Sequence, residues 1–475
     1  MKVVVACFIL FPIFSFAQSK GWQLKDLDAD HEFGISLTKA YELLKNKKHK
    51  KVIVAVIDSG IDTAHEDLKT VLSPDGWGLL GNANGENIQY ENYEYVRILK
   101  PLKMKFGNAR PADTTGNSLY QTLNAKYLAE TEKAAGTVRN IKGFKRVIDS
   151  VVLAMNTASP TADDFKKLET NTRSLSQLKT SMVKALGNSS YETFYQNSIM
   201  GPLEHYEQEL DRQLNLDYDA RKIIGDDPDN IMDNHYGNHD LMGPDAHHGT
   251  HVAGIIGAVR GNGIGIDGVA DDVEIMSIRA VPDGDERDKD VANAIRYAVK
   301  HGAKVINMSF GKAYATNKEA VDKAVKYARK HDVLIVQAAG NEGKNIDSIA
   351  NFPMRDNDKA ENWIVVGASG PKDDATLAAG FSNYGLRSVD VFAPGVRIYS
   401  SVPGSKYDTY DGTSMAAPVV AGLAALIREY YPKLKAAQVK EVIMQSVVKR
   451  NVLTNKCVTG GVVSAAQALK MTAAK

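Results

Sequence analysis

Short apolar runs typical of buried strands alternate with helical patterns through much of this 475-residue chain. The first run, residues 51–57, is almost continuously β-branched, as in a strand buried on both faces of a parallel sheet. Similar runs follow at residues 273–278, 304–308, 333–336 and 363–366. Two helical patterns lie between them, at 290–301 and 317–331. The alternation predicts an α/β fold with a mostly parallel central sheet that helices cover on both faces.

A different residue pattern interrupts this alternation between about residues 90 and 224. Apolar residues recur there at helical spacing, in stripes at 138–155, 168–182 and 191–214. The stripes predict an inserted antiparallel subdomain of about three or four helices. Internal packing explains them most simply, and a lid or partner-docking arm is the alternative. The predicted organisation is a signal peptide at 1–17, a short N-terminal segment at 18–50, an α/β domain at 51–89 and 225–475, and the insertion at 90–224.

A serine lies at the start of a long apolar helical stretch. Gly412 and Thr413 form a turn before Ser414, and a buried helix is predicted from Met415 to about Tyr430. Unpaired N–H groups and the positive end of the helix dipole favour negative charge at this position. A serine there is most often only a helix cap. It becomes a candidate nucleophile if the chain also supplies a base and an orienting acid.

Both groups occur upstream. Asp58 ends the first buried strand, at the carboxyl edge where open α/β sheets place their active sites, although an aspartate can also simply start a turn. His248 opens a segment rich in glycine and alanine that can form a closely packed helix. His248 and His251 could instead share a helix face as metal ligands, but the HExxH pattern of zinc proteases is absent.

Four segments together resemble the subtilisin-like serine proteases, the subtilase family (peptidase family S8). They read VAVIDSGI around Asp58, HGTHVAGII from His248, VLIVQAAGNEG around Asn341 and GTSMAAPVVAG around Ser414. The first, second and fourth follow the family's order of aspartate, histidine and serine. The resemblance implies a subtilisin-like three-layer fold and a serine endopeptidase with these three residues as its triad. It also implies an oxyanion hole made by the Asn341 side chain and the backbone N–H of Ser414, although Asn341 could merely cap a turn.

The resemblance also implies how substrate binds. An extended peptide is expected to add as a strand along Ser309, Phe310 and Gly311, with main-chain hydrogen bonds for affinity and side-chain pockets for selectivity. Asn351 is expected to line the first pocket. Glu342 could favour a basic residue at its rim. We expect broad specificity, with some preference for apolar substrate residues.

The composition limits which classes of partner and which cellular location fit this chain. The formal charge of +1, from 58 basic and 57 acidic residues, argues against a nucleic-acid partner and leaves polypeptides as substrate. Residues 1–17 have the basic start, apolar run and small-residue ending of a signal peptide, which predicts a secreted or periplasmic protein. No later apolar stretch is long enough for a membrane span.

The expected chemistry requires no cofactor, and no metal ligand is assigned. The acidic run at 225–230, with Asp233, Asp240 and Asp245 nearby, raises structural calcium as a hypothesis, although it does not match an EF-hand loop. Asp67 corresponds to a carboxylate that binds calcium in some family members. A solvated turn between the insertion and the α/β domain is the favoured interpretation of the acidic run.

Other functions remain open from the sequence. The chain could be a catalytically silent binding scaffold, or a protease restricted to self-processing and gated by the helical insertion. An esterase could use the same triad, but the GxSxG motif of α/β-hydrolases is absent around Ser414. Digestion of peptides would separate these functions. The oligomeric state is not determined by the sequence.

Overall fold

The computed structural model describes residues 19–106, 114–355 and 360–474. The predicted signal peptide therefore lies outside the described residues. The strands are β1 Val52–Asp58, β2 Trp77–Gly78, β3 Val273–Arg279, β4 Val305–Met308, β5 Leu334–Ala338, β6 Trp363–Ser369, β7 Val391–Pro394, β8 Ile398–Val402, β9 Lys406–Tyr410, β10 Val448–Lys449 and β11 Gly461–Val462.

Helices precede, interrupt and follow these strands. They are α1 Leu27–Asp30, α2 Leu37–Leu44, α3 Glu94–Phe106, α4 Thr114–Ala154, α5 Ala162–Lys167, α6 Arg173–Leu186, α7 Tyr191–Tyr195, α8 Gly201–Gln208, α9 Arg221–Ile224, α10 His247–Gly257, α11 Asp288–Lys300, α12 Lys318–Lys330, α13 Thr413–Tyr430, α14 Ala436–Gln445 and α15 Ala465–Ala474. None of the described helices has the length and hydrophobicity needed to cross a membrane.

The main sheet has the strand order β10-β11-β7-β6-β5-β4-β1-β3-β2. Its neighbouring strands run parallel, except for the short β10 and β11, which pair antiparallel. The prediction of a mostly parallel sheet in an α/β fold is confirmed. Strands β8 and β9 form a separate hairpin that the sequence patterns did not predict.

Side-chain alternation along β1 assigns the two faces of the sheet. Val54 and Val56 pack in a hydrophobic cluster with α10 and α13, whereas Ala55 and Ile57 pack in a second cluster with α11 and α12. Because successive residues of a strand point to opposite faces, Asp58 shares the face of Val56. The carboxylate therefore points to the side of the sheet on which α10 and α13 lie.

The helices α3 to α9 occupy the predicted insertion. They surround two hydrophobic clusters of their own, one containing Leu99 and Leu123 and the other Ile148, Phe165 and Met182. Between residues 94 and 224 the structure describes α3, α4, α5, α6 and α9, and one continuous helical run at 191–213 in which α7 and α8 alternate with two π-helical segments. The third apolar stripe, at 191–214, coincides with this run.

A buried ion-pair network joins the insertion to the α/β domain. Glu91, whose side chain is 0% exposed, contacts Arg221 at 3.2 Å and Arg287 at 2.8 Å. Arg221 also pairs with Asp226, and Asp226 with Lys289 at 2.9 Å. The favoured interpretation of the acidic run as a solvated turn was wrong at Asp226, because its side chain is fully buried and neutralised by these cations.

Candidate active site

The three predicted triad residues lie at the starts or ends of elements that meet at one sheet edge. Asp58 is the last residue of β1, and His248 and Ser414 are each the second residue of α10 and α13. Close approach depends on glycine: a Cβ atom on Gly249 would lie 2.1 Å from the carbonyl oxygen of Gly60. The absence of a side chain at Gly249 thus allows α10 to contact the turn that follows Asp58.

Asp58 fixes the orientation of the His248 imidazole. Asp58 Oδ1 lies 2.7 Å from His248 Nδ1 and also accepts the backbone N–H of Ser59 at 2.8 Å. Asp58 is only 2% exposed, whereas the His248 side chain is 40% exposed. Hydrogen bonding at Nδ1 leaves Nε2 available for proton transfer.

The charge of Asp58 sets the protonation behaviour of His248. Burial alone lowers the pKa of His248, but the Asp58 charge and hydrogen bond, with a contribution from Asp245, more than offset it and raise the pKa above 6.5. A raised pKa in the folded state means that the protonated form stabilises the fold below pH 6.5, and that this stabilisation is lost as pH rises through the folded pKa. The neutral imidazole, which can act as a base, accumulates over the same range.

If the predicted triad acts as the resemblance implies, peptide hydrolysis should rise with pH along a limb centred above pH 6.5. A general base must be unprotonated, and the profile of kcat/KM reports its pKa in the free enzyme. We would measure kcat/KM over about pH 5 to 9. Asp58→Asn should move the limb to lower pH and lower the rate, since it removes the charge and the tautomer control. A limb centred below pH 6.5 in the parent would contradict this assignment.

The Ser414 hydroxyl is engaged by the predicted substrate-binding segment. Ser414 Oγ donates to the carbonyl oxygen of Ser309 at 3.0 Å, and Ser309 Oγ donates to the carbonyl oxygen of Ser414 at 2.9 Å. A His248 to Ser414 bond is not among the hydrogen bonds of the described residues. To act as the predicted nucleophile, Ser414 would have to rotate its hydroxyl from Ser309 toward His248. Catalytic hydrogen bonds are often long or misaligned before substrate binds, so this geometry is compatible with a nucleophile.

Asn341 contacts the nucleophile helix. Its Oδ1 accepts both the backbone N–H and the hydroxyl of Thr413, each at 2.9 Å. Because the oxygen end of the amide is engaged in this way, the Nδ2 donor end remains for another partner. Asn341 is exposed at the surface. The Asn341 carbonyl thus caps α13, and its amide N–H groups remain available for the predicted oxyanion role, which stays a prediction.

The predicted substrate-binding segment has unpaired backbone. Among the described residues, the N–H and C=O groups of Phe310 and Gly311 form no hydrogen bond. Pairing resumes at Lys312, which exchanges bonds of 2.8 and 2.7 Å with Phe352. A short free edge thus extends from Ser309, next to the candidate nucleophile, and could accept an added strand.

Asn351 lies beside this edge, between the backbone of Ala339 and that of Gly311. Its Nδ2 donates to the carbonyl oxygen of Ala339 at 3.0 Å, and its Oδ1 would lie 2.7 Å from a Cβ on Gly311. Glu342 accepts a 2.6 Å hydrogen bond from Asn383, which directs its carboxylate toward that amide. Asn351 thus places a polar side chain beside the predicted substrate edge, and its role in the first pocket stays a prediction.

Two residues have roles in the site that the sequence did not indicate: Thr413 was noted only as a turn residue, and Ser309 only as part of the expected substrate edge. The hydroxyls of Thr413 and Ser309 orient Asn341 and bind the Ser414 carbonyl. Thr413 stands inside the GTS segment, so the motif contained the signal. His251 is separate from this chemistry, because it is buried against Tyr410 and burial lowers its pKa to about 4.

Asp67, one of the residues considered for calcium, is engaged by protein groups. Asp67 is fully buried and accepts hydrogen bonds from the Asn262 amide at 2.7 Å and the Ile266 backbone at 3.2 Å. Within the described ranges, no group of three or more His, Cys, Asp or Glu residues is arranged to hold a metal ion. Structural calcium stays a prediction.

Known proteases are similar in sequence to part of this chain. A 212-residue stretch is 43% identical to a thermophilic serine proteinase of Bacillus sp. (strain AK1), covering 44% of this chain and 48% of that protein. Subtilisin BL of Lederbergia lenta is 37% identical over 194 residues, covering 41% of this chain and 67% of that protein. The matches thus span about half to two thirds of these relatives.

A solved structure extends the comparison to the fold. A protease from Pseudoalteromonas arctica PAMC 21717 superimposes with a TM-score of 0.51 at 20% identity, covering 95% of this chain and 97% of that one. At this identity the likeness concerns the fold alone. The sequence profile of the subtilase family matches residues 49–461. Because that match covers most of the chain, the protein belongs to the subtilase family.

Proposed function

We propose that the protein is a secreted serine endopeptidase that uses Asp58, His248 and Ser414 as its triad. The observation that carries the proposal is the 2.7 Å contact between Asp58 and His248, at the edge where Ser414 begins its helix. Membership of the subtilase family supports the same class of reaction. Secretion rests on the composition of residues 1–17.

The reaction requires activation of a weak nucleophile. As Ser414 Oγ bonds to the carbonyl carbon of the scissile peptide, His248 Nε2 takes its proton. Asp58 stays ionised and stabilises the imidazolium. The tetrahedral intermediate collapses with cleavage of the C–N bond, and His248 returns the proton to the departing amine. Water then attacks the acyl-enzyme by the same route and regenerates Ser414.

Negative charge develops on the carbonyl oxygen during attack. Asn341 Nδ2 and the backbone N–H of Ser414 are the donors proposed for it, with support from the positive end of the α13 dipole. Donors fixed before the reaction cost no reorganisation in the transition state. Thr413 supplies this fixation by holding Asn341 Oδ1.

Asn341→Leu is expected to lower kcat by about 10²–10³-fold with little change in KM, a magnitude taken from the corresponding donor in subtilisin. The amide contributes mainly when charge is present on the substrate oxygen, so binding of the ground state should change little. Steady-state kinetics on a peptide substrate measures both constants. Asn341→Asp is the matched variant, because it retains acceptors for Thr413 while removing the donor, and it should be equally slow. Full activity in the aspartate variant would exclude the proposed oxyanion role.

Broad cleavage of unfolded polypeptides is the proposed activity. The test incubates the purified protein with a denatured mixed protein substrate and identifies the cleaved bonds by mass spectrometry. A fluorophosphonate probe should label Ser414 in the same preparation, because it reports an activated serine. Cleavage together with labelling supports the endopeptidase. Neither cleavage nor labelling would favour a catalytically silent scaffold.

A protease of restricted access is the second candidate. The insertion contributes Tyr93, Tyr95 and Tyr206 to a cavity that is also lined by Gly311 and Asn351 of the proposed substrate edge. Bulky folded substrates would meet this wall before they reached Ser414. Cleavage confined to the chain itself or to short peptides in the same digestion would favour this candidate.

A further inference from the structure

The residue that follows the predicted substrate edge is a buried lysine. Lys312 comes directly after Gly311 and is 4% exposed. Its ammonium group lies 3.2 Å from Glu94 Oε2 and 2.9 Å from Asp288 Oδ1, and it donates to the carbonyl oxygen of Glu286 at 2.6 Å. Lysine is almost never fully buried unless it is paired. The three N–H groups of Lys312 thus have three partners, and Glu94, the first residue of α3, is the one that belongs to the insertion.

The ion pair between Lys312 and Glu94 keeps its charges. Burial lowers the pKa of the lysine, but the charges of Glu286, Glu94 and Asp288 more than offset this and raise the value. Burial raises the pKa of Glu94, yet Arg97 and Lys312 more than offset it and lower the value to about 2. Both groups are therefore charged near neutral pH. Their attraction acts away from water, where charges interact more strongly than at the surface.

The first helix of the insertion is itself fixed to the α/β domain at this place. Asp285 Oδ2 accepts the backbone N–H of Glu94 at 2.7 Å, where α3 begins. Arg97 of the same helix donates to the carbonyl oxygens of Asp285 and Glu286, at 3.0 and 3.3 Å, and pairs with Glu94. The start of α3 is thus bound through both backbone and side chains. It provides a fixed partner for Lys312.

The substrate edge lies between two attachment points. At one end, Ser309 Oγ donates to the carbonyl oxygen of Ser414. At the other, the backbone of Lys312 exchanges hydrogen bonds of 2.8 and 2.7 Å with Phe352. Among the described residues, the backbone groups of 310 and 311 between these points form no hydrogen bond. The path of the edge is therefore set by its two ends, and the Lys312 side chain ties one of them to the insertion.

An aromatic contact attaches the same segment to the insertion a second time. Tyr314 packs against the hydrophobic cluster that contains Leu99 and Leu123, and its ring centroid lies 6.3 Å from that of Tyr95. Tyr95 is the second residue of α3, and its hydroxyl donates to Glu130 of α4. The chain that follows the edge is thus held by an ion pair and by an apolar contact, both made with the insertion.

We propose, on the basis of the proposed peptidase function, that Lys312 and Glu94 form a positioning pair through which the insertion holds the substrate edge in register with Ser414. The pair acts through the backbone of residues 310 and 311, whose free groups would bind the main chain of an extended substrate. Movement of this backbone would shift the scissile carbonyl relative to the nucleophile. A misplacement of about 1 Å can cost about 10²-fold in rate. The insertion thereby contributes to the reaction itself, besides any restriction of access.

Two substrates distinguish positioning from folding. An N-acylated tetrapeptide with a chromogenic amide leaving group extends along the edge, whereas p-nitrophenyl acetate offers Ser414 an activated carbonyl and no main chain for the edge to bind. We expect Lys312→Met to lower kcat/KM for the tetrapeptide by about 10- to 100-fold. The value for the ester should stay close to that of the parent. Parallel losses on both substrates, or parental values on both, would overturn the proposal.

Glu94→Gln removes the same pair from the side of the insertion. It should cause the same selective loss on the tetrapeptide, and it supplies the test if Lys312→Met does not fold, because glutamine keeps the shape of the side chain. The double variant should lose little more than either single variant, since contacting residues that act together are not additive. Losses that multiply in the double variant would show that the two residues act separately and would overturn the pairing.

Lys289→Met is the matched control. Lys289 is also buried, at 2% exposed, but its ammonium group pairs with Asp226 at 2.9 Å and not with the segment that follows the edge. The variant should lower the thermal midpoint yet leave the ratio of tetrapeptide to ester hydrolysis unchanged. A ratio that falls as far as in Lys312→Met would overturn the proposal. If the parent hydrolyses neither substrate, the peptidase function itself fails, whereas an active parent with an unchanged ratio in Lys312→Met contradicts only the positioning role.

Discussion

Ser414→Ala should abolish peptide-bond hydrolysis while leaving the fold intact. Without Oγ no acyl-enzyme can form, and only the weak catalysis of water in a preorganised site remains. Loss of the nucleophile in subtilisin costs about 2 × 10⁶-fold in kcat, a magnitude taken from that enzyme. The measurement is kcat/KM on a fluorogenic peptide, with mass spectrometry to identify the bonds that the parent cleaves.

Matched measurements distinguish chemistry from folding. Removal of the 3.0 Å hydrogen bond to the Ser309 carbonyl should cost only about 1 kcal/mol of stability. The thermal midpoint should therefore remain close to that of the parent. Ser348→Ala changes an exposed loop serine and should retain full activity. If the Ser414 variant cleaves the same bonds at the parental rate, the nucleophile lies elsewhere.

Glu91→Gln should destabilise the fold by about 3–5 kcal/mol. Glu91 lies among Arg97, Arg221 and Arg287, at 3.8, 3.2 and 2.8 Å. Its removal leaves buried guanidinium groups without their compensating charge, which is the costly way to disrupt such a network. Urea unfolding followed by circular dichroism gives the change in free energy. Glu319→Gln, in an exposed pair with Lys323, should leave the free energy of unfolding close to the parental value.

The same substitution should change the acid stability. Burial raises the pKa of Glu91, but the three arginines more than offset this and lower it from 4.5 to about 2. Since the folded value lies below the unfolded one, the ionised carboxylate stabilises the fold above pH 4.5, and this contribution is lost as pH falls toward 2. The parent should thus lose stability between pH 4.5 and 2 more steeply than the glutamine variant. Parallel curves would exclude Glu91 as the titrating group.

Much of the site could be predicted because its signals are local. Asp58 follows a run of β-branched residues whose burial depends on their own composition, and Ser414 precedes an apolar helix. The strand and helix types along the α/β domain followed from the same kind of pattern. Short strands such as β10 and β11 did not, because two-residue strands have no periodicity and exist only through pairing with their neighbours.

Contacts between distant residues required the tertiary structure. The acidic run suggested a solvated turn, yet Asp226 is buried because Lys289, 63 positions later, lies against it. Similarly, only the fold brings Thr413 to the Asn341 amide, 72 positions away, and so determines which end of that amide is free. The sequence alone thus determined which residues are candidates for the chemistry, since residue type and local burial patterns can be read from it. Their orientation and charge environment were decided by tertiary packing, because they depend on which distant groups become neighbours.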